Sequence, residues 1–109
     1  MNVKDALSAL SALANEHRLK VFRLLVEAGH EGRSAGEIAD ALAMPASSLS
    51  FHLAHLNRAG LIAQRRESRS LIYSADFARM NALVAFLTEN CCSGGVCAPL
   101  VKPQRRKSA

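Results

Sequence analysis

The sequence predicts a mainly α domain carrying one small β-hairpin, and three observations lead to that reading. Apolar residues recur at helical spacing in five separate stretches, whereas short β-prone runs occur once, after Gly60. Trp is missing and aromatic residues make up 5% of the chain, so Ala, Leu and Val must fill the core, which favours helices over a β-sandwich. The 109 residues amount to one domain, too short for a two-domain enzyme and long enough to bury a single core.

The elements follow in order. Val3, Leu7, Leu10 and Leu13 or Ala14 repeat at helical spacing and predict a first helix over 3–14. Asn15 is placed to cap a second helix, whose stripe Leu19, Phe22, Leu25 and Val26 runs to Glu27. Gly29 and Gly32 bracket a polar loop. Ser34 and Glu37 form a capping-box pattern that opens a short third helix with Ile38, Ala39 and Leu42 inward. Pro45 disfavours helical geometry at Met44 and starts a fourth helix over 46–59, with Leu49, Leu53 and Leu56 on one face and Gly60 as its stop. The runs 61–66 and 71–74 read as strands joined by the turn 67–70. Asp76 caps a last helix, in which Phe77, Met80, Leu83, Val84 and Leu87 are apolar, to about Asn90. Met44 and Met80 are expected as core filler, and His17, His30 and His55 as surface residues.

Half the residues are hydrophobic and 21% charged, a composition of a folded body. No apolar run approaches the roughly 18–20 residues that span a bilayer, and the N-terminus lacks the apolar stretch of a signal peptide. A soluble, cytosolic protein with no membrane partner is expected. The net charge of +5 is unevenly placed: residues 1–57 are close to neutral. The excess comes from Arg58, Arg65, Arg66, Arg69 and Arg79, and from Lys102, Arg105, Arg106 and Lys107 at the end. Such a patch suits a polyanion, most simply nucleic acid, while the tail reads as a solubilising end.

Two short helices a few residues apart, followed by an arginine-bearing hairpin, describe a winged helix-turn-helix: five helices plus a wing. In that arrangement the second helix of the pair enters the major groove of double-stranded DNA, polar side chains near its start read base edges, and wing arginines neutralise phosphates. Ser47, Ser48 and Ser50 are the expected base contacts, with Phe51 facing solvent or the groove, and Arg65, Arg66 and Arg69 the wing cations. For His52, packing against the third helix and contact with a phosphate are both open. Leu7, Leu10, Leu83 and Leu87 form apolar stripes that so small a monomer cannot bury, which predicts a symmetric homodimer through the first and last helices.

Residues 13–19, Leu-Ala-Asn-Glu-His-Arg-Leu, resemble the L-x-x-x-x-R-L/I opening of the second helix in ArsR-type winged-helix repressors. Ser50-Phe51-His52-Leu53 through Ala59-Gly60-Leu61-Ile62 is similar to that family's S-x-H-L-x-x-L-x-x-A-G-L-V signature, and residues 65–73 to its wing. The likeness covers about residues 5–90. It implies a homodimer that represses transcription and leaves operator DNA when an inducer binds. Two inducer sites common in the family are missing: the stretch 34–40 has no thiol, and Ala78 stands where the last helix would carry its first His. Pro45 also replaces the family's frequent Ser or Thr at the start of the recognition helix.

Cys91, Cys92 and Cys97 are the three cysteines of the chain and fall within seven residues. Vicinal thiols do not readily bridge to each other, and a cytosolic setting argues against a permanent disulfide. Thiolates prefer soft ions, and Ser93-Gly94-Gly95-Val96 can fold Cys97 back over the pair. Three sulfurs without a fourth ligand suit a pyramidal As(III) or Sb(III) centre, whereas structural zinc wants four ligands. The resemblance points the same way, since some arsenite-responsive members carry a Cys-Cys…Cys cluster after the last helix.

The residues leave other readings open: a soft divalent ion such as Cd(II), thiol redox or persulfide sensing, and an inert tail. A small thiol enzyme or metal carrier is a further class, although only Glu89 lies near the thiols as an acid or base. The expected division is a DNA-binding and dimerisation domain over 1–90 and a Cys-containing inducer loop with a basic tail over 91–109.

Overall fold

The computed structural model describes residues 1–94, so Cys97 and the basic tail lie outside the described residues. Helices α1 (Val3–Leu13), α2 (Glu16–Ala28), α3 (Ala35–Leu42), α4 (Ala46–Arg58) and α5 (Phe77–Thr88) pack together, with a three-stranded antiparallel sheet of β1 (Arg33–Ser34), β2 (Ile62–Glu67) and β3 (Ser70–Ala75) set against α2, α3 and α4. The sheet order is β1-β3-β2. β1 is absent from the sequence reading, which leaves Arg33 in a loop. It pairs Arg33 with Tyr73 and Ser34 with Ile72.

Local chemistry explains most boundaries. Asn15 Oδ1 accepts from the amides of His17 and Arg18 at 2.9 and 3.0 Å. Ser34 Oγ accepts from Glu37 N while Glu37 Oε1 accepts from Ser34 N, closing the capping box. Asp76 Oδ1 accepts from Arg79 N at 3.0 Å. α3 ends where Ala43 adopts a left-handed conformation (φ 51°), and Pro45 stands at the start of α4 without a side-chain cap. The corner between α1 and α2 is tied by Arg18, whose Nε donates to the Ala12 carbonyl at 2.6 Å and whose Nη2 donates to the Ser11 carbonyl at 3.4 Å, supplying donors to carbonyls at the end of α1. Those bonds give a physical reason for an arginine in the 13–19 motif. The wing turn is one residue tighter on each side than expected, because Glu67 and Ser70 already pair.

Leu25, Ile38, Leu49, Leu56 and Leu61 are fully buried at the centre, with Val21, Phe22 and Leu53 around them and Met44 and Met80 packed against the edge. α1 packs on α2, α4 and α5, and presents its alanines inward: Ala6, Ala9 and Ala12 are buried, whereas Val3, Leu7 and Leu10 are exposed. On α5 the exposed large apolar residues are Val84 and Leu87. Leu83, expected in the dimer stripe, is instead buried within the monomer, because it lies one position round the helix from Val84 and faces the core.

Gly32 fixes the approach of β1 to β3. Its φ is +72°, and a Cβ there would run into the Tyr73 carbonyl and sit 2.9 Å from Ile72 Cγ2.

Candidate nucleic-acid interface

α4 divides into two faces. Leu49, Leu53 and Leu56 point into the core, so residues about half a turn away must face out. Helical spacing puts Ser47, Phe51, Ala54 and Arg58 on that outer face, and all four are exposed. Ser48 and Ser50 are exposed on its flanks. Ala54 and Arg58 were not among the expected contacts. Their signal was the same helical period that selected Phe51, read one and two turns further on. Pro45 offers no side-chain acceptor, which leaves the first-turn amides of α4 and their partial positive charge for an anion such as a phosphate.

His52, expected as a possible phosphate contact, is buried and does not face outward. It lies 100° round the helix from Phe51, which turns it toward α2, where its ring stacks on His17 with centroids 5.6 Å apart. Together with Ser48, Leu42, Met44 and Pro45 the two histidines line a cavity of about 170 Å³ behind the start of α4. Nδ1 of His52 is buried and has no hydrogen-bond partner among the described residues. Burial pushes the His52 pKa below its ordinary 6.5, and the positive groups facing it, His17 and Arg18 on α2 and His55 on α4, push the same way.

The sign of that shift gives a prediction. A histidine depressed in the folded state contributes stability that is intact above pH 6.5 and lost as the pH falls below it, because the unfolded chain then binds the proton first. The urea midpoint is therefore expected to be lower at pH 5.5 than at 7.5, and His52→Gln to shrink the difference. A variant with the same pH difference as the wild type would contradict it.

Arg65 also departs from expectation. Its Nη1 and Nη2 donate to the carbonyls of His30 and Glu31 at 3.2 and 2.9 Å, and its Nε to Glu67 at 2.8 Å. Those bonds fasten β2 to the Gly29–Glu31 turn and engage all three guanidinium nitrogens, so Arg65 positions the wing. Alternation along β2 sends Arg66 to the opposite face of the strand, and both Arg66 and Arg69 are exposed. Arg66→Ala is expected to lower the salt dependence of DNA binding by about one unit of slope per protomer, and Arg65→Ala to leave the slope unchanged while lowering the melting temperature. Equal loss of slope in both variants would show Arg65 on a phosphate.

After α5 the chain turns, with Asn90, Cys92 and Ser93 at φ of 55–57°. The turn brings Sγ of Cys91 and Cys92 to 3.6 Å. Among the described residues no three His, Cys, Asp or Glu side chains converge as a metal site. No described helix is long and apolar enough to cross a membrane.

An exposed polar helix face backed by a two-helix unit, with a basic hairpin attached through Gly60 and Leu61, defines a winged helix-turn-helix DNA-binding domain. A helix-turn-helix domain family matches residues 13–65. The transcriptional activator HlyU of Vibrio cholerae is 34% identical over 79% of this chain and 77% of its own length. The regulator YgaV of Escherichia coli is 32% identical over 84% and 90%. The solved domain of Mb0332 from Mycobacterium bovis, described as a homodimeric winged helix-turn-helix and a possible ArsR-family regulator, superposes with a TM-score of 0.64. It shares 30% identity and covers 85% of this chain and 86% of that one. The chain belongs to the ArsR-type family of helix-turn-helix transcriptional regulators, a class of DNA-binding proteins rather than enzymes.

Proposed function

We propose that this regulator binds operator DNA as a symmetric homodimer, represses transcription, and releases the operator when As(III) or Sb(III) binds Cys91, Cys92 and Cys97. The observation that carries the inducer reading is the pair of sulfurs held 3.6 Å apart where the chain leaves α5. Two soft donors at that separation favour a thiophilic ion, and Cys97, which lies outside the described residues, supplies the third sulfur. Arsenous acid condenses with three thiols, each S–H proton leaving with an arsenic-bound hydroxyl as water, so no redox partner is needed. The lone pair of trivalent arsenic makes three sulfurs a complete set, whereas structural zinc takes four ligands.

The dimer reading is supported by the apolar face of α1 and α5 and by the homodimeric Mb0332 domain. Because the thiols follow α5 directly, ordering them around one ion acts on the element that joins the protomers. A rotation of one protomer against the other would spoil the spacing of two recognition helices that must meet successive turns of the groove. A solved structure of the Vibrio cholerae relative is described as reduced HlyU, and a redox response of Cys91, Cys92 and Cys97 in this chain is the second reading.

Fluorescence anisotropy of the full chain on its own promoter duplex, titrated with arsenite, antimonite, cadmium, zinc and peroxide, tests both. Release by arsenite and antimonite at the lowest concentrations supports the proposal. Release by peroxide alone, reversed by dithiothreitol, selects the second reading. Equal affinity of the untreated protein for promoter and random DNA at physiological salt sinks the operator reading itself.

A further inference from the structure

Phe51 is the most exposed large hydrophobic side chain of the described residues, at 63%, and it stands at the middle of the outer face of α4. Ser47 precedes it by one turn, Ala54 follows by three residues, and Arg58 lies two turns beyond. Its ring lies edge-to-face with His52 at a centroid distance of 5.8 Å, and Phe51 is not part of the buried core. The outer face is therefore polar and basic at its ends, with one apolar patch, Phe51 and Ala54, between them.

Resting on the operator reading above, we infer that Phe51 selects thymine by packing on its C5-methyl group. The ring has no donor or acceptor, so it cannot read the hydrogen-bonding edges of guanine or adenine. The thymine methyl is the apolar feature of the major-groove edge, and an aromatic ring is one of the side chains able to cover it. Ala54 adds a second methyl-sized surface beside the ring, close enough along the helix to share the same or the adjacent base pair. Ser47 and Ser48 have small hydroxyls that accept either a donor or an acceptor, so they discriminate less between bases than a methyl contact does. By this argument one thymine in each half-site is set by shape and apolarity, independently of the hydrogen bonds around it.

The test replaces each thymine of the promoter duplex by uracil, one position per half-site at a time, which removes the methyl and keeps every hydrogen bond. For the full-length wild type, one position is expected to weaken binding by about fourfold per methyl, the value of one buried methylene-sized group. Phe51→Ala is expected to bind the thymine and uracil duplexes alike, and Phe51→Leu to keep part of the discrimination. Because Phe51 is exposed, the variants fold, which helical circular dichroism checks. A flat uracil scan by a wild type that still prefers its promoter over random DNA overturns the assignment and leaves the operator reading standing. Discrimination that persists unchanged in Phe51→Ala overturns it too. A wild type with no promoter preference removes both.

Discussion

Placing glutamates at Leu7 and Leu87 together is expected to convert the protein to a monomer and to lower its promoter affinity by more than about a hundredfold. Both side chains are exposed in the monomer, Leu7 at 62% and Leu87 at 57%, so the fold itself does not depend on them. With Val3, Leu10 and Val84 they are the exposed large apolar residues of the packed neighbours α1 and α5, the surface that the proposed homodimer would bury. Burying a leucine contributes about 1.5–3 kcal/mol, and two-fold symmetry makes every substitution count twice across the interface. Four charges in a closed apolar seam exceed what a small dimer can absorb. A monomer then meets one half-site alone and loses the gain of tethered binding, on the order of 10²–10⁴. Sedimentation velocity at micromolar concentration and anisotropy on the promoter duplex read the two effects. A wild type that sediments as a monomer, or a variant that remains a dimer, would contradict the argument.

The parts of this fold that were legible in the sequence are those whose cause is local. Asn15, Ser34 with Glu37, and Asp76 each cap a helix through bonds spanning two or three residues, so the spacing alone announces them. The missed parts depend on distant partners. Strand β1 is two residues long and exists because β3, about forty residues later, runs alongside it. No alternation can develop over so short a stretch, and the close approach at Gly32 was its one trace. Arg65 shows the same limit for the site. A charge pattern does not distinguish an arginine that meets phosphates from one spent on the carbonyls of His30 and Glu31, more than thirty residues away. At His52 and Leu83 the helical period placed a residue at the border of the buried face, and only the packing of α2 and the core decided which side it took.

Arsenite is expected to lower promoter affinity of the wild type by more than about a hundredfold, and each single Cys→Ser variant at Cys91, Cys92 or Cys97 to bind the promoter normally while failing to respond. The first half follows from linkage. An ion that favours the non-binding arrangement by about 3 kcal/mol over the DNA-competent one shifts affinity by that factor, and three sulfur bonds to one arsenic leave ample free energy for it. The second half follows from where the thiols lie. Cys91 and Cys92 come after the last turn of α5 and belong to neither α4 nor the wing, so replacing sulfur by oxygen changes no residue of the DNA-facing surface. The three variants need not be equal in how they bind arsenic. With Cys97 replaced, the pair held at 3.6 Å still offers two sulfurs, so arsenic is retained more weakly and the chain beyond α5 is not drawn in. Replacing Cys91 or Cys92 breaks that pair and is expected to reduce arsenic binding further. Native mass spectrometry counts the bound arsenic in each variant, and anisotropy on the promoter duplex reads the release. A Cys97→Ser variant that retains arsenic but stays on DNA would show that closing the loop, rather than occupying the pair, drives the switch. A triple variant that leaves the promoter with arsenite as readily as the wild type would place the inducer elsewhere and end this mechanism.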